Sequence, residues 1–443
     1  MELNSGDTAW VLASTSLVLL MTPGLAFFYG GMTKAKSTLN MMMMSFATIA
    51  VVSVLWVLYG FSLAFGNSGS AYYGAFSFNG LTEAVGQLTN NGGEYPIPLL
   101  AFAGFQLMFA VITPALISGA IADRAKFLTW VIFVALWVSI VYFPVAHWVF
   151  DFGGEDSTGA GWLAALGVED FAGGTAVHIN AGAAGLALAI VLGRRIGFKK
   201  SPNRPHNLTL VLIGAGLLWF GWFGFNAGSA LGATDTAAVA LMNTQVATAA
   251  ALGGWLIVER IRDGHPTSLG AASGAVAGLV AITPACAFVE PWAAVVIGLL
   301  AGMICAMAVG LKYKLNYDDS LDVVGVHLVG GIVGCLAIGF FGTSQVLGAD
   351  GVFYGGGFEL LGKQAIGAFS VLAYSLIVTL ILGFLLEKTI GFRISKDAEL
   401  EGIDVTEHLE SAYDFEGNLG GTFAGGAAVK HKVAVSSDEE VSA

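Results

Sequence analysis

Charge is what this 443-residue sequence has least of. Asp, Glu, Lys and Arg make up 11% of it, whereas a soluble protein carries about 25%. That shortage excludes an ordinary soluble domain and places the chain among integral membrane proteins. Cysteine is scarce as well: Cys286, Cys305 and Cys335 are the only three. All lie in apolar runs, without the spacing of a metal site or a disulfide framework, and read as buried, inert thiols. A basic leader is missing too, since the first residues, MELNSGD, carry no Lys or Arg; no signal peptide is expected. The net charge of −12 says little about partners within a membrane, because eleven of the 31 acidic residues fall beyond Phe392. No nucleic-acid partner is expected.

Hydrophobic residues supply 56% of the chain and glycine 61 positions, and small residues let helices pack closely in lipid. Eleven apolar stretches lie near 9–30, 41–65, 98–121, 127–150, 172–193, 208–230, 237–258, 268–289, 292–311, 323–342 and 364–387. Each is long enough to cross about 30 Å of hydrocarbon, which takes roughly 20 helical residues. They are continuously apolar instead of alternating, which selects helices over a β-barrel. Lys and Arg cluster after the odd-numbered spans, at Lys34/Lys36, Arg124/Lys126, Arg194 to Arg204, Arg260/Arg262, Lys312/Lys314 and from Lys388 on. Of the 19 basic residues only Lys363 falls on the other side. The positive-inside rule then sets the N-terminus outside and the C-terminus in the cytoplasm. The expected fold class is an all-α polytopic membrane protein of eleven transmembrane helices.

ITPA occurs at Ile112–Ala115 in the third span and again at Ile282–Ala285 in the eighth. Those spans run in opposite directions, so spans one to five and six to ten read as a five-plus-five inverted repeat with one extra helix. Residues 1–390 are read as the transmembrane domain and 391–443 as a cytoplasmic tail. The second half of that tail, Gly/Ala-rich and then acidic, reads as disordered.

Ionisable groups inside such spans are costly and mark functional sites. Two histidines lie well inside, His178 in span five and His327 in span ten. His178 stands eight residues after Asp170 and His327 five after Asp322, or about 12 and 7 Å along a helix. Approaching from opposite faces, the pair can meet near the midplane, share a proton, and present a donor and an acceptor to a small polar solute. Packing against a neighbouring helix is the plainer alternative. With no further ligand nearby, no metal and no cofactor is expected. Asp170 and Asp322 are read as helix N-caps, with cation attraction as the alternative. His147, near the outer end of span four, reads as interfacial. Span three supplies Phe105, Gln106 and Phe109, and span six Trp222, Phe225, Asn226 and Ser229. Singly these are membrane-belt residues. Together they make a cation–π cup with a hydroxyl acceptor, suited to a small cation such as ammonium.

Five stretches carry a resemblance: TPGLAFFYGG (Thr22–Gly31), DFAGGTAVHINAG (Asp170–Gly182), GWFGFNAGS (Gly221–Ser229), AITPACAFVEP (Ala281–Pro291) and DVVGVH (Asp322–His327). In this order they resemble the ammonium transporter family (Amt/Mep/Rh), and within it the actinobacterial members, over residues 8 to about 415. The resemblance implies a homotrimer in a prokaryotic cell membrane, each subunit with its own narrow hydrophobic pore at the repeat axis. It implies that Phe109, Phe150, Trp222 and Ser229 form or border an outer recruitment site for ammonium or methylammonium, supported by Asp170. Phe109 and Phe225 would be the stacked rings closing the pore, and His178 and His327 the twin histidines lining it. The tail stretch EGIDVTEHLESAYDF resembles the segment that docks subunits together and receives a PII-type signal protein; by composition alone it reads as a solvated amphipathic tail. The sequence departs from the family pattern at AHWVFDF, where Phe150 stands in place of a common Trp and the insertion DFGGEDSTGA follows. Phe offers a weaker cation–π face and no N–H, so either the cup is shallower or Trp148 compensates.

Carrying an intact ion through an apolar pore costs several kcal/mol. The expected activity is therefore transport and not catalysis: ammonium sheds its proton at the cup, and ammonia passes the phenyl gate and the histidines. The rivals are an ammonium sensor signalling through the tail and a sodium-coupled amino-acid transporter, which broken helices would mark.

Overall fold

The computed structural model describes residues 2–66, 70–91, 93–153, 159–200 and 204–413. Half of the insertion after Phe150, and the tail segment read as disordered, lie outside these described residues. Among them, the apolar stretches form α1 (Ser5–Met32), α2 (Ala35–Phe65), α3 (Leu99–Ile121), α4 (Phe127–Phe150), α5 (Gly174–Leu192), α6 (Leu208–Gly228), α7 (Asp235–Arg262), α8 (Ser268–Ile282), α9 (Pro291–Leu315), α10 (Val324–Phe341) and α11 (Glu359–Thr389). All but α8 are long and apolar enough to cross a membrane. Asn4, Asn207, Thr234 and Thr267 start α1, α6, α7 and α8 by accepting first-turn N–H groups, the donors a helix leaves orphaned.

Residues 268–289 were expected to form one span, but the helix stops at Ile282. Beyond it the carbonyls go to tertiary donors. Phe171 N–H donates to Pro284 O at 3.1 Å, and the Asn243 amide donates to Cys286 O and Val289 O at 2.8 and 2.7 Å. In α3 the same ITPA stays helical with Pro114 inside, so the motif alone does not end a helix. The all-α expectation also needs one correction: β1 (Leu88–Asn90) and β2 (Glu94–Pro98) pair as a small antiparallel two-stranded sheet.

Glycine decides how closely helices approach. A Cβ on Gly221 of α6 would fall 2.6 Å from Leu17 O in α1, and one on Gly254 of α7 would fall 2.5 Å from Leu299 O in α9. Both pairs therefore pack backbone against side-chain-free backbone, which in lipid supplies the association that hydrophobicity cannot.

The chain after α11 stays with the bundle. Lys126 N–H donates to Phe392 O and Ile394 N–H to Arg124 O, at 2.8 and 3.0 Å. From α13 (Ile403–His408), which follows α12 (Lys396–Glu401), Asp404 accepts the Leu39 and Asn40 N–H groups near the start of α2, and Glu407 accepts Phe127 N–H at the start of α4. The compact unit accordingly runs to Ala412. On this same face the buried Arg124 guanidinium donates to Ser320 Oγ and Asp318 O, both at 2.6 Å. Arg195 pairs with Asp318 and Asp123 at 2.8 and 3.2 Å. These bonds anchor the turn that leads into α10.

Candidate functional site

Both histidine-bearing helices begin with a wide turn. Gly174–Ile179 of α5 and Val324–Leu328 of α10 are π-helical, and His178 N–H reaches back five residues to Gly173 O at 3.0 Å. Such turns are rare and concentrate at functional sites. Asp170 secures the first of them. Its Oδ1 accepts the Gly173 and Gly174 N–H groups at 2.8 and 2.7 Å, and its Oδ2 those of Thr175 and Ala176 at 2.7 and 3.2 Å. Burial pushes this carboxyl up and the four N–H groups pull it back. With both oxygens committed to backbone, Asp170 acts on the site through the turn it caps.

In α10 the cap is not the residue expected. Asp322 sits at φ 66°, outside the extended conformation of an N-cap, and pairs with Lys312 at 2.6 Å. Asp319 does the capping: Oδ1 and Oδ2 accept the Val323 and Val324 N–H groups at 3.1 and 2.7 Å, and burial pushes it up to about 6. Asp319 precedes His327 by eight residues, as Asp170 precedes His178. That repeated spacing is the sequence signal that identifies it.

Glycines then let the two turns cross. A Cβ on Gly182 would lie 2.5 Å from Leu328 N, and one on Gly331 3.0 Å from Gly174 O. His178 and His327 consequently meet, with Nδ1 atoms 3.3 Å apart and rings 5.4 Å apart at 20°. Both are buried, and His178 Nε2 has no hydrogen-bond partner among the described residues.

Aromatic rings extend from this pair. Trp222 lies on His178 at 5.4 Å and 17°, its N–H donating to Thr283 Oγ1 at 2.8 Å. Phe225, 6.1 Å from His178, stacks on Phe109 at 4.1 Å and 27°, with Phe105 edge-on to Phe109 at 5.0 Å. One turn further, the half-buried Ser229 donates its hydroxyl to Phe225 O at 2.9 Å. Trp222, expected to border an outer cup with Ser229, stands on the histidine side of the phenylalanine pair. Seven residues of helix, about 10 Å, separate the two positions. Phe150 is buried beside the Asp170 turn, 3.7 Å from where a Cβ on Gly173 would lie.

Trp148 packs on Tyr374 and Trp162 at 4.7 and 5.8 Å and donates to Tyr72 O at 2.8 Å. Two residues apart on one helix point about 200° apart, so Trp148 does not replace an indole at position 150. His147, read as interfacial, sits near the end of α4 and is enclosed by protein. It is fully buried, with Nδ1 3.0 Å from both Ala64 O and Asp151 Oδ2 and Nε2 3.0 Å from Ser70 O. Among the described residues no group of three or more His, Cys, Asp or Glu is placed to hold a metal ion.

Glu169, beside Asp170, carried no signal in the sequence. Its Oε1 accepts Ala349 N–H at 2.7 Å, while Oε2 is buried without a partner among the described residues. Burial pushes the carboxyl from 4.5 up to about 7. A carboxyl raised by folding favours the protonated native state. The stability present below pH 4.5 is therefore lost as pH rises toward 7. Glu169→Gln is expected to melt with the wild type at pH 4.5 and above it at pH 8, a gain on the order of 2–3 kcal/mol. An equal offset in thermal melts at both pH values would count against this.

The profile of the Ammonium Transporter Family matches residues 9–413. An ammonium transporter of Mycobacterium tuberculosis is 55% identical over 433 residues, covering 93% of this chain and 91% of the relative. One of Bacillus subtilis is 46% identical over 413 residues, covering 92% and 98%. Among solved structures, Mep2 of Saccharomyces cerevisiae superposes with a TM-score of 0.81 at 34% identity, covering 89% of this chain and 91% of that one. A sensor Amt protein does so with 0.84 at 29%, covering 91% and 98%. A helical, multi-pass protein of a prokaryotic cell membrane, the chain belongs to the Ammonium Transporter Family.

Proposed function

We propose that the protein transports ammonium, and that the observation carrying this reading is the imidazole pair with a free Nε2 directly behind two stacked phenyl rings. The Ser229 hydroxyl, spent as a donor to Phe225 O, keeps its lone pairs to accept from an ammonium N–H. The faces of Phe109 and Phe150 add cation–π attraction of about 0.5–2 kcal/mol. Potassium donates no hydrogen bonds, so it lacks the directional N–H bonding that such an acceptor offers ammonium. Rings stacked at 4.1 Å exclude a hydrated ion, so ammonium hands its proton to water on the outer side of the cup, and ammonia passes as the rings swing aside.

Beyond them Trp222 and the histidines form the wall. When one Nδ1–H donates to the other Nδ1, one Nε2 becomes an acceptor and the other a donor. Ammonia, which both donates and accepts, matches that pair.

The same reading makes α1 to α11 eleven membrane crossings, that of α8 completed by the turns over residues 283–288, with the N-terminus outside and residues 392–412 in the cytoplasm. Arg124, Arg195 and Lys312, gathered on that face, support this orientation. The Asp–His spacing shared by α5 and α10, which run in opposite directions, supports a five-plus-five inverted repeat. Assembly as a homotrimer and docking of a PII-type signal protein on the cytoplasmic segment follow from the family.

In proteoliposomes the wild type is expected to take up ammonium and discriminate against potassium. His178→Ala with His327→Ala is expected to narrow that preference about tenfold, the equivalent of one lost hydrogen bond. Unchanged uptake and preference would refute the histidine role, and a wild type inert toward ammonium would refute the transport reading.

A further inference from the structure

The wide turn bearing His178 is gripped at both ends by one helix, α11. Upstream, the buried Gln364 side chain clamps the backbone of one residue: Oε1 accepts Glu169 N–H and Nε2 donates to Glu169 O, both at 2.7 Å. Its Nε2 also donates to Cys335 O of α10 at 3.2 Å, tying the second histidine helix to the same point. Downstream, the buried Ser375 Oγ donates to Asn180 O at 2.8 Å, where the wide turn gives way to regular α-helix. The two grips are eleven residues apart on α11, and Glu169 and Asn180 are also eleven residues apart. His178 lies between them.

A π turn holds one residue more than the α turn it replaces and is the less stable of the two. If either end is free, the extra residue slides out and the segment relaxes to α-helix, turning its side chains by about 100°. Pinning both ends to a rigid helix forbids that slide. We propose that Gln364 and Ser375 are positioning residues, and that α11 acts as a ruler keeping the His178 turn wide and its imidazole facing His327. This rests on the histidine reading above and adds the element that sets the pair's geometry.

The test uses purified full-length protein in proteoliposomes, comparing ammonium with potassium and with methylammonium. Gln364→Leu with Ser375→Ala is expected to narrow the ammonium-over-potassium preference about tenfold per folded protein, and to change the ammonium-to-methylammonium ratio. Ser375→Thr, which keeps the hydroxyl, is expected to retain the wild-type preference. Added to His178→Ala/His327→Ala, the α11 substitutions should change the preference no further.

A merely structural role would lower the melting temperature and scale all rates together. Unchanged preference and ratio in the folded double variant therefore overturn the proposal. If the double variant does not fold, Ser375→Ala alone decides by the same two ratios. A twin-histidine variant with wild-type preference refutes the histidine reading and this assignment with it. A twin-histidine variant that loses preference beside an α11 variant that keeps it refutes this assignment alone.

Discussion

Asp170→Asn is expected to lower ammonium transport at least about a hundredfold. However the amide is turned, its NH2 faces two of the four N–H groups that Asp170 now accepts from Gly173, Gly174, Thr175 and Ala176. Hydrogen bonds to a charged partner contribute about 1.5–3 kcal/mol each, so losing two of them costs roughly 3–6 kcal/mol. The loss falls on the wide turn holding His178, and 3 kcal/mol in the productive geometry is already more than a hundredfold in rate. Asp319→Asn supplies the internal comparison. Asp319 accepts only the Val323 and Val324 N–H groups, of which an amide keeps one, so its effect is expected to be the smaller. Ammonium uptake per folded protein, with folding read by size exclusion, checks both. Asp170→Asn within about threefold of wild type, less than 1 kcal/mol, would sink the argument.

Gly182→Val is expected to be nearly as damaging, for a steric reason. The new Cβ would lie 2.5 Å from Leu328 N and 2.6 Å from Leu328 Cβ, next to His327, so α10 has to retreat from α5. The imidazoles touch at 3.3 Å, and a few tenths of an ångström more ends hydrogen bonding. Overpacking of this kind costs about 1–3 kcal/mol, or roughly ten- to a hundredfold in rate, and the loss should appear as poorer discrimination against potassium. Gly216→Val is the control, because a Cβ there meets nothing within 4 Å and transport should stay near wild type. Equal behaviour of the two variants in the proteoliposome assay would show that the close crossing does not set the pair.

Much of the architecture was legible in the residues. Hydropathy located every long helix to within a few positions, because a run such as Leu208–Gly228 is apolar whatever packs against it. His178 and His327 stood out for the complementary reason: an imidazole buried in lipid-spanning sequence is costly unless it has work to do. The misreadings fall where the outcome depends on a partner far along the chain. Helix α8 ends at Ile282 because Phe171 and Asn243 take the carbonyls that follow. Asp322 was read as the cap, but its positive φ and its pairing with Lys312 leave that role to Asp319. His147 reads as interfacial by its place in α4, yet Ala64, Ser70 and Asp151 enclose it.

Composition and the order of apolar runs were enough to determine a multi-pass helical membrane protein and to single out the histidines of its fifth and tenth spans, since burial in lipid and backbone self-satisfaction are local properties of each run. Which carboxylate caps which turn, which face of α6 carries Trp222 to His178, and how α11 grips Glu169 and Asn180 were decided by tertiary structure alone. The Trp222–His178 stacking and the α11 hydrogen bonds join residues far apart in the chain, and the choice of cap turns on Lys312 drawing Asp322 away, so no local sequence pattern fixes them.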